Sequence, residues 1–418
     1  MEFWRLVRSS EANMALYYVL LRVWSHISHS VSFLRFLSVI PAVATVPVLY
    51  SLGKKLFSPL AALLASLLFS LNTFHIYYSQ VGRGYSLAVF LVTLSCFFFV
   101  RNFEHPTGAN GVAYVIASTA AMYGHFFAGF VLLAQLLALV LGRPSRVAMI
   151  RQMLLLTIVA VASLPLFLFA AVHRTEPIAW VQPTRGKEVY HFFTYLGGSG
   201  LKFALSVIAL AIAGREWWRR ARLQTRPTLP FLFLTLWFLL PLGLTLLISL
   251  WKPVFSPRFL IICLPAFVLL VAEGVAAIAP QWPRYSMAAV LVLSWVTALP
   301  AYYRQPGIED WKGAATYLSQ HVRVVDTIII NNPAYRPVLE YSFPEFDLVL
   351  PTEHLVMGPA NRLSQPQSDH IWLLLCHAPP GEANDVVSFK RQFTLRTEMH
   401  FTGIDILEFV RNASPEVR

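Results

Sequence analysis

The sequence predicts an all-α multi-pass membrane bundle followed by a small α/β domain. Of the 418 residues, 56% are hydrophobic and only 13% are charged, an apolar excess that a soluble fold cannot bury. The apolar residues form runs long enough to contribute membrane-spanning helices, which need about 20 residues each. After residue 303 these runs end and amphipathic patterns replace them. We therefore expect a membrane domain over residues 1–303 and a soluble domain over residues 304–418.

Charge and cysteine usage exclude several classes of protein. The net charge of +12 does not indicate nucleic-acid binding, because much of it lies in short loops where Lys and Arg set membrane topology. Cys96 and Cys263 lie inside apolar runs, Cys376 is far from both, and no CxxC spacing occurs. A disulfide framework is therefore not expected.

The apolar runs define the order of the membrane segments. The segment Met14–Trp24 is too short to span, so we expect it to lie along the interface. About ten spans follow by this criterion. They lie near residues 33–52, 59–74, 86–101, 110–124, 125–142, 152–172, 201–214, 229–250, 258–279 and 285–301. The stretch 110–142 is either two short helices or one long tilted helix, because Tyr123-Gly124-His125 is its only break.

The C-terminal domain carries a different pattern. Residues 308–322 have the periodicity of an amphipathic helix, and the apolar runs in 325–332 and 370–377 have the length of strands. Residues 405–411 are a candidate third strand. This combination predicts a small α/β domain.

Loop charges predict the orientation in the membrane. The loops around Lys54, Arg143–Arg151 and Arg215–Arg226 are the more basic set, so we expect them to be cytoplasmic. The other set, with both termini, then lies outside, which predicts a cytoplasmic-membrane protein with an extracytoplasmic C-terminal domain. An outside N-terminus is hard to insert without a preceding helix, so we expect one more helix upstream of Met1.

The stretch His75–Leu87 is a dense polar and aromatic cluster at a predicted membrane edge. Arg83 offers a forked donor suited to phosphate. Tyr78, Gln80 and Tyr85 offer hydroxyl, amide and stacking contacts. These residue types predict an anion or sugar site. The alternative is a plain interfacial belt of tyrosines and arginine.

Four further residues are candidates for the same outer face. Arg258 starts a span, where an arginine is costly unless it is paired or faces a polar cavity; we interpret it as a phosphate clamp with Arg83 and Lys252, or else as a snorkelling interfacial residue. His125 is either a substrate contact or a satisfied buried histidine. Glu11 is the candidate general base, because few acids precede residue 300 on this side and a base must reach the acceptor; a solvated surface Glu is the alternative.

Several stretches resemble one family in order and spacing: Glu11–Tyr18, Leu34–Ser38, Tyr78–Tyr85, Pro253–Phe259 and Asp310–Lys312. They resemble motifs of the integral-membrane glycosyltransferases that take sugars from polyprenyl-phosphate carriers. This group has the GT-C fold and includes the aminoarabinose transferase and the protein O-mannosyltransferases. The resemblance covers most of residues 9–315. The chain departs from the family at Met14 and Ala15, which replace prolines, and at Val81, which replaces an acid.

The resemblance implies a one-step inverting transfer. A carboxylate deprotonates the acceptor, the acceptor attacks the anomeric carbon, and the lipid phosphate leaves, held by Arg83 and Arg258. The implied donor is a polyprenyl-phosphate sugar, and the acceptor is a lipid, a glycan or a protein in a membrane-lipid environment. Such sites admit a divalent metal, although the sequence contains no ligand cluster for one.

Two other functions stay open from the sequence. The family's acidic catalytic loop follows a first helix that this sequence does not contain. An inactive or truncated relative that acts as a binding or assembly subunit is therefore one alternative. A transporter of lipid-linked sugars is the other; it would need ionisable residues at mid-span, whereas the polar residues here crowd the outer rim.

Overall fold

The computed structural model describes residues 12–173, 181, 183–223, 229–304, 309–323, 326–330, 335, 338–339, 355–357, 368–376 and 393–412. The chain divides into two compact units, Met1–Leu299 and Pro300–Arg418. In the described residues the first unit is helical, and all the strands belong to the second.

The first unit opens with a 3-10 turn, Ala12–Met14, and the helix α1, Ala15–Ser25. Helices α2 to α8 are Val31–Leu56, Pro59–Leu71, Thr73–Gln80, Tyr85–Glu104, Gly108–Gly124, Ala128–Gly142 and Arg146–Ala162. Helices α9 to α12 are Leu164–His173, Gly186–Gly197, Leu201–Leu223 and Leu229–Ser249. A 3-10 helix, Pro257–Cys263, leads into α13, Leu264–Ala276; α14 is Gln281–Val296 and α15 is Leu299–Arg304.

The described helices confirm a multi-pass membrane bundle. Five segments are long and apolar enough to cross a membrane: Val31–Leu56, Tyr85–Glu104, Leu229–Ser249, Pro257–Ala276 and Gln281–Arg304. The number rises to seven if two bent pairs count as one span each, α3 with α4 at 56° and α10 with α11 at 82°. The expected count of about ten spans is not confirmed.

Single residues break the helices that hydropathy alone joins together. Asn72 ends α3 and begins α4, because its side-chain oxygen accepts a hydrogen bond from the His75 amide at 3.1 Å. The stretch 110–142 forms two helices that break at His125. The predicted span 152–172 breaks at Ser163, since Pro165 lacks the amide hydrogen that a continuous helix would need there.

The basic segment after residue 214 is helical rather than a loop. Helix α11 continues to Leu223, well beyond the predicted end of this span. The Glu216 carboxylate accepts hydrogen bonds from Arg219 at 2.7 Å and from Arg220 at 2.8 Å, three and four residues further on. Pairs at this spacing stabilise a helix, which explains why the segment stays helical.

The span that contains α13 is the core of the bundle. In the segment Pro257–Ala276, 94% of the most apolar 18-residue stretch is buried inside the bundle. Small residues let neighbouring helices approach closely, as is usual between membrane helices. A Cβ on Gly274 would collide with the backbone carbonyl of Ala209 in α11, and one on Gly53 would lie 2.8 Å from the Leu269 side chain.

Buried polar side chains also join the helices of the bundle. Tyr114 of α6 donates a hydrogen bond to the Gln135 side chain of α7 at 2.6 Å. The Gln135 amide donates in turn to Ser95 of α5 at 3.1 Å, and Ser95 is 2.7 Å from Ser118 of α6. Each of these groups has a partner, so the cluster stabilises the packing without leaving a polar group unsatisfied in an apolar interior.

In its described residues the second unit, which begins within α15, contains the helix α16 (Trp311–His321) and a five-stranded sheet. The strands β1 to β5 are Thr327–Ile330, Leu355–Met357, His370–Cys376, Phe393–Phe401 and Ile404–Arg411, in the spatial order β2-β1-β3-β5-β4. The strand β1 is parallel to β2 and β3, whereas β5 is antiparallel to β3 and β4. The predicted helix and all three predicted strands are present, and β2 and β4 are additional.

Gly274 provides a direct test of the close contact between α11 and α13. We expect Gly274→Ala to destabilise the bundle by about 1–3 kcal/mol, because the added methyl group must push two backbones apart. The measurement is the thermal unfolding temperature of the full chain in detergent. Gly243→Ala in α12 is the matched control, since a Cβ there meets no atom within 4 Å. Equal unfolding temperatures for the two variants would contradict the close packing.

Candidate functional site

The connection between α4 and α5 lies at the centre of the predicted site. Side chains satisfy backbone carbonyls at the end of α4 and in this connection: Ser86 donates to the Tyr78 carbonyl at 2.9 Å, and Ser38 donates to the Arg83 carbonyl at 3.3 Å. The Tyr17 hydroxyl is 2.8 Å from the Ser38 hydroxyl. A Cβ on Gly84 would lie 2.9 Å from the Cβ of Tyr17, so glycine is required for α1 to approach this connection.

Four aromatic rings from separate elements form a continuous row, which we call the aromatic row. The ring centroids of Tyr78 and Tyr85 are 4.6 Å apart, those of Tyr85 and His125 are 6.0 Å apart, and those of His125 and Phe259 are 5.4 Å apart. Tyr85 and His125 are each only 1% exposed. The two inner rings therefore support the row, while Tyr78 keeps part of its surface accessible.

Arg258 brings a positive charge to the aromatic row. Its guanidinium lies 5.6 Å from the centroid of the Phe259 ring, within the range of a cation–π contact. The guanidinium is also close enough to Tyr78 and His125 for its charge to act on both, so it lies near three of the four rings of the row. An arginine held among partly buried rings is less screened by water than one on an open surface, and it attracts anions more strongly.

Asn13 fixes the break that contains His125. Its side-chain oxygen accepts a hydrogen bond from the Phe126 amide at 3.1 Å, and its nitrogen is 3.3 Å from His125 Nε2. These contacts join residues that are 112 or more positions apart in sequence. The Asn13 side chain therefore helps to hold the break at His125 in place.

Asn72 joins the same end of the bundle to α10. Its side-chain nitrogen donates to the carbonyls of Tyr195 at 3.2 Å and Leu196 at 3.1 Å, while its oxygen caps α4. The rings of Phe74 and Tyr195 are stacked with centroids 5.0 Å apart, and Phe74 also contacts Tyr78 at 5.2 Å. The position of Tyr78 therefore depends, through Phe74, on the packing of α10.

The structure brings together four of the predicted site residues: Tyr78, Tyr85, His125 and Arg258. Gln80 is the last residue of α4, and Arg83 is exposed in the connection that follows. Lys252 lies in the turn between α12 and the 3-10 helix, where its amide donates to the Ile248 carbonyl at 3.0 Å. Glu11 lies outside the described residues.

Several residues that build this end of the bundle escaped the sequence prediction: Asn13, Tyr17, Ser38, Asn72 and Tyr195. Asn13, Tyr17 and Ser38 lie inside the stretches that carry the family resemblance, so the signal was present without an indication of what each side chain contacts. Asn72 stands between two helical stretches, which is the position of a helix cap. Tyr195 had no comparable signal.

A metal ion finds no ready site in the described part of the chain. No group of three or more His, Cys, Asp or Glu residues there is arranged to hold one. The cationic and aromatic character of the cluster suits an anion instead.

The fold is that of known membrane glycosyltransferases. ArnT from Cupriavidus metallidurans in the apo state matches with a TM-score of 0.54, covering 97% of this chain and 92% of that chain at 12% identity. The same enzyme bound to undecaprenyl phosphate matches with a TM-score of 0.53, covering 95% and 88% at 11% identity. The apo oligosaccharyltransferase of Archaeoglobus fulgidus matches with a TM-score of 0.52, covering 99% and 70% at 12% identity.

These likenesses confirm the GT-C fold that the sequence motifs predicted. At identities of 11–12% they establish the architecture alone. The sequence matches no family model and no curated protein. The activity must therefore be argued from the site.

Asn72 allows the link between α10 and the aromatic row to be tested. We expect Asn72→Asp to keep the helix cap but to destabilise the protein by about 2 kcal/mol or more, because it replaces two donated hydrogen bonds with a carboxylate facing two carbonyls. Faster amide hydrogen exchange in α10 is the specific readout. The control is Ser145→Asp, which changes the exposed cap of α8. Unchanged exchange in α10 would show that Asn72 does not hold this helix.

Proposed function

We propose that the protein is a glycosyltransferase that moves a sugar from a polyprenyl-phosphate carrier to a lipid, glycan or protein acceptor. The observation that carries the proposal is Arg258, whose guanidinium lies 5.6 Å from the Phe259 ring of the aromatic row, at one end of a bundle with the GT-C fold. The reaction takes place at the outer face of the cytoplasmic membrane with inversion at the anomeric carbon. Residues 304–418 form an extracytoplasmic domain.

A cation at this position supplies the chemistry that the reaction most needs. When the bond between sugar and phosphate breaks, negative charge accumulates on the leaving lipid phosphate. A guanidinium can stabilise that charge with two parallel N–H donors. Since the donor is already activated by its phosphate, the site needs no nucleotide. ArnT of C. metallidurans has been seen with undecaprenyl phosphate, which supports a carrier of this class for the same fold.

Of the remaining predicted residues, some contact the donor and others hold the contacting residues in place. Arg83 is exposed in the connection between α4 and α5, so it is accessible to the phosphate of a donor. Tyr78 and Gln80 offer polar atoms to the donor, and Lys252 adds positive charge near the start of the 3-10 helix. Tyr85 and His125 are buried; they position Tyr78 and Arg258 rather than contact the substrate.

The acceptor must lose a proton as it attacks, and Glu11 is the group that we assign to this step. It is two residues before Asn13, whose side chain holds the His125 break. Its position in the sequence, next to a residue that supports the site, is the reason for this assignment. The carboxylate takes the acceptor proton, the acceptor oxygen or nitrogen bonds to the anomeric carbon, and the phosphate leaves with the electron pair.

The role of Arg258 and Arg83 in holding the lipid phosphate is tested by measuring how tightly the carrier binds. We expect Arg258→Ala to weaken the binding of undecaprenyl phosphate by about 10–100-fold, because a hydrogen-bonded charge pair contributes about 1.5–3 kcal/mol. Arg83→Ala should weaken it to a smaller extent, since that side chain is exposed. Binding is measured on the purified full chain in detergent. The control is Arg215→Ala at the other end of the bundle. The variant Arg258→Lys keeps the positive charge but loses the two parallel N–H donors, so it separates the contributions of charge and of hydrogen-bond geometry. Unchanged affinity in Arg258→Ala would remove the basis of the proposal.

The role of Glu11 is tested by separating binding from transfer. In membranes that contain the full chain and a radiolabelled polyprenyl-phosphate sugar, we expect Glu11→Gln to lower transfer at least 100-fold by removing the general base. Its affinity for undecaprenyl phosphate should stay within about twofold of the original chain. Transfer that is equal in both chains would exclude Glu11 as the base. Binding without transfer in the original chain would instead favour a binding subunit.

A further inference from the structure

The outer face of α10 carries aromatic and polar side chains beside the candidate site. Its exposed side chains are Lys187, Tyr190, His191 and Tyr195, and Tyr190 and Tyr195 are 60% and 44% exposed. The opposite face of the helix packs into the bundle, where Phe192 is fully buried. The four exposed side chains, which we call the α10 face, are therefore accessible to a molecule from outside the bundle.

The rings of the α10 face continue the ring contacts of Tyr78 out to the surface. Phe74, which contacts Tyr78, is stacked on Tyr195 with an interplanar angle of 8°. Tyr195 is stacked in turn on His191, with centroids 6.0 Å apart and an angle of 25°. The Tyr190 ring lies 5.9 Å from His191 at 60°. The exposed rings are thus held in fixed orientations, and they adjoin a residue that we assign to the donor.

The helix α10 is held between the two elements that carry the donor-binding residues. Asn72, at the start of α4, binds two carbonyls at the end of α10. Phe192 contacts Phe255, with ring centroids 6.3 Å apart, and Phe255 is three residues before Arg258. An acceptor must reach the anomeric carbon beside the donor phosphate, so its binding surface must adjoin these same elements. The α10 face meets that requirement.

The chemistry of the α10 face restricts what can bind there. Each of its four side chains has a group that can form hydrogen bonds, so the face does not suit acyl chains. Lys187 is the one permanent charge among the four, which is too little for a polyanion. A helix surface also offers neither a sheet edge nor a groove, the usual sites for an extended peptide. Ring faces with polar atoms at their edges remain, and this combination suits a sugar.

We propose that the α10 face binds a pyranose ring of a glycan acceptor. The inference rests on the proposed glycosyl transfer and specifies the acceptor class. The carbon-bound hydrogens on one side of the pyranose pack against the electron-rich faces of Tyr190 and His191. The sugar hydroxyls exchange hydrogen bonds with the polar atoms of the same side chains. A hydroxyl on an adjoining part of the glycan is then free to reach the donor.

The experiment measures binding of the purified full chain to immobilised neutral oligosaccharides of two to six pyranose units. The detergent must lack a sugar headgroup, because a maltoside headgroup would compete for the rings. We expect Tyr190→Ala and His191→Ala each to weaken the binding about tenfold, through loss of a ring that packs on the sugar. Tyr190→Phe keeps the ring and should bind within about threefold of the original chain.

The matched control is Tyr285→Ala, because Tyr285 is 53% exposed near the start of α14 and does not belong to the α10 face. Undecaprenyl phosphate binding is measured on the same samples and should stay within about twofold in every variant. Its absence in the original chain would count against the proposed function, whereas glycan binding that depends on Tyr190 would still support this site.

Two outcomes would overturn the inference. One is a chain that binds undecaprenyl phosphate but none of the oligosaccharides; the other is an equal loss of glycan binding in Tyr190→Ala and Tyr285→Ala. Immobilised peptides are tested in parallel. Peptide binding that depends on Tyr190, in the absence of glycan binding, would assign the α10 face to a protein acceptor instead.

Discussion

The architecture depends on how the bundle satisfies backbone groups where its helices break. In an apolar environment an unpaired carbonyl or amide has no water to bind, so irregular backbone persists only where side chains replace the missing bonds. Asn72 binds two carbonyls at the end of α10, Ser38 binds the Arg83 carbonyl, and Trp237 donates to the Ile262 carbonyl at 2.9 Å. The residues that make these breaks tolerable also build the site, because the aromatic row runs through the same breaks.

This constraint explains which parts of the molecule the sequence could predict. Local patterns were sufficient to predict the strands β1, β3 and β5 and to mark the residues around His125 as the one break within 110–142, although they left open whether that break separates two helices. The contacts that position the site are not local. Asn13 meets His125 across 112 positions, and Asn72 meets Leu196 across 124. No periodicity connects residues so far apart, so the sequence could supply the candidates but not their partners.

The predicted helix boundaries differ from the observed ones for a related reason. Hydropathy averages over a window, whereas one residue decides where a helix stops. Pro165 causes a break at Ser163 within the predicted span 152–172, and the ion pairs of Glu216 extend α11 through a basic stretch that resembles a loop. The strand β4 alternates half-buried and exposed positions, as a half-covered edge strand does. Polar residues interrupt this strand, so a search for continuous apolar runs missed it.

The span Pro257–Ala276 links the two ends of the bundle. It is the most deeply buried of the five spans. Trp237 holds it near its start and the close contact of Gly274 with Ala209 holds it near its end. A helix fixed at both ends moves little, so Arg258 is presented by a rigid support rather than by a mobile loop. Binding or catalysis by a long arginine side chain benefits from such support, because fewer conformations are lost when the anion arrives. The site is therefore best understood as a charged group carried on the core of the fold.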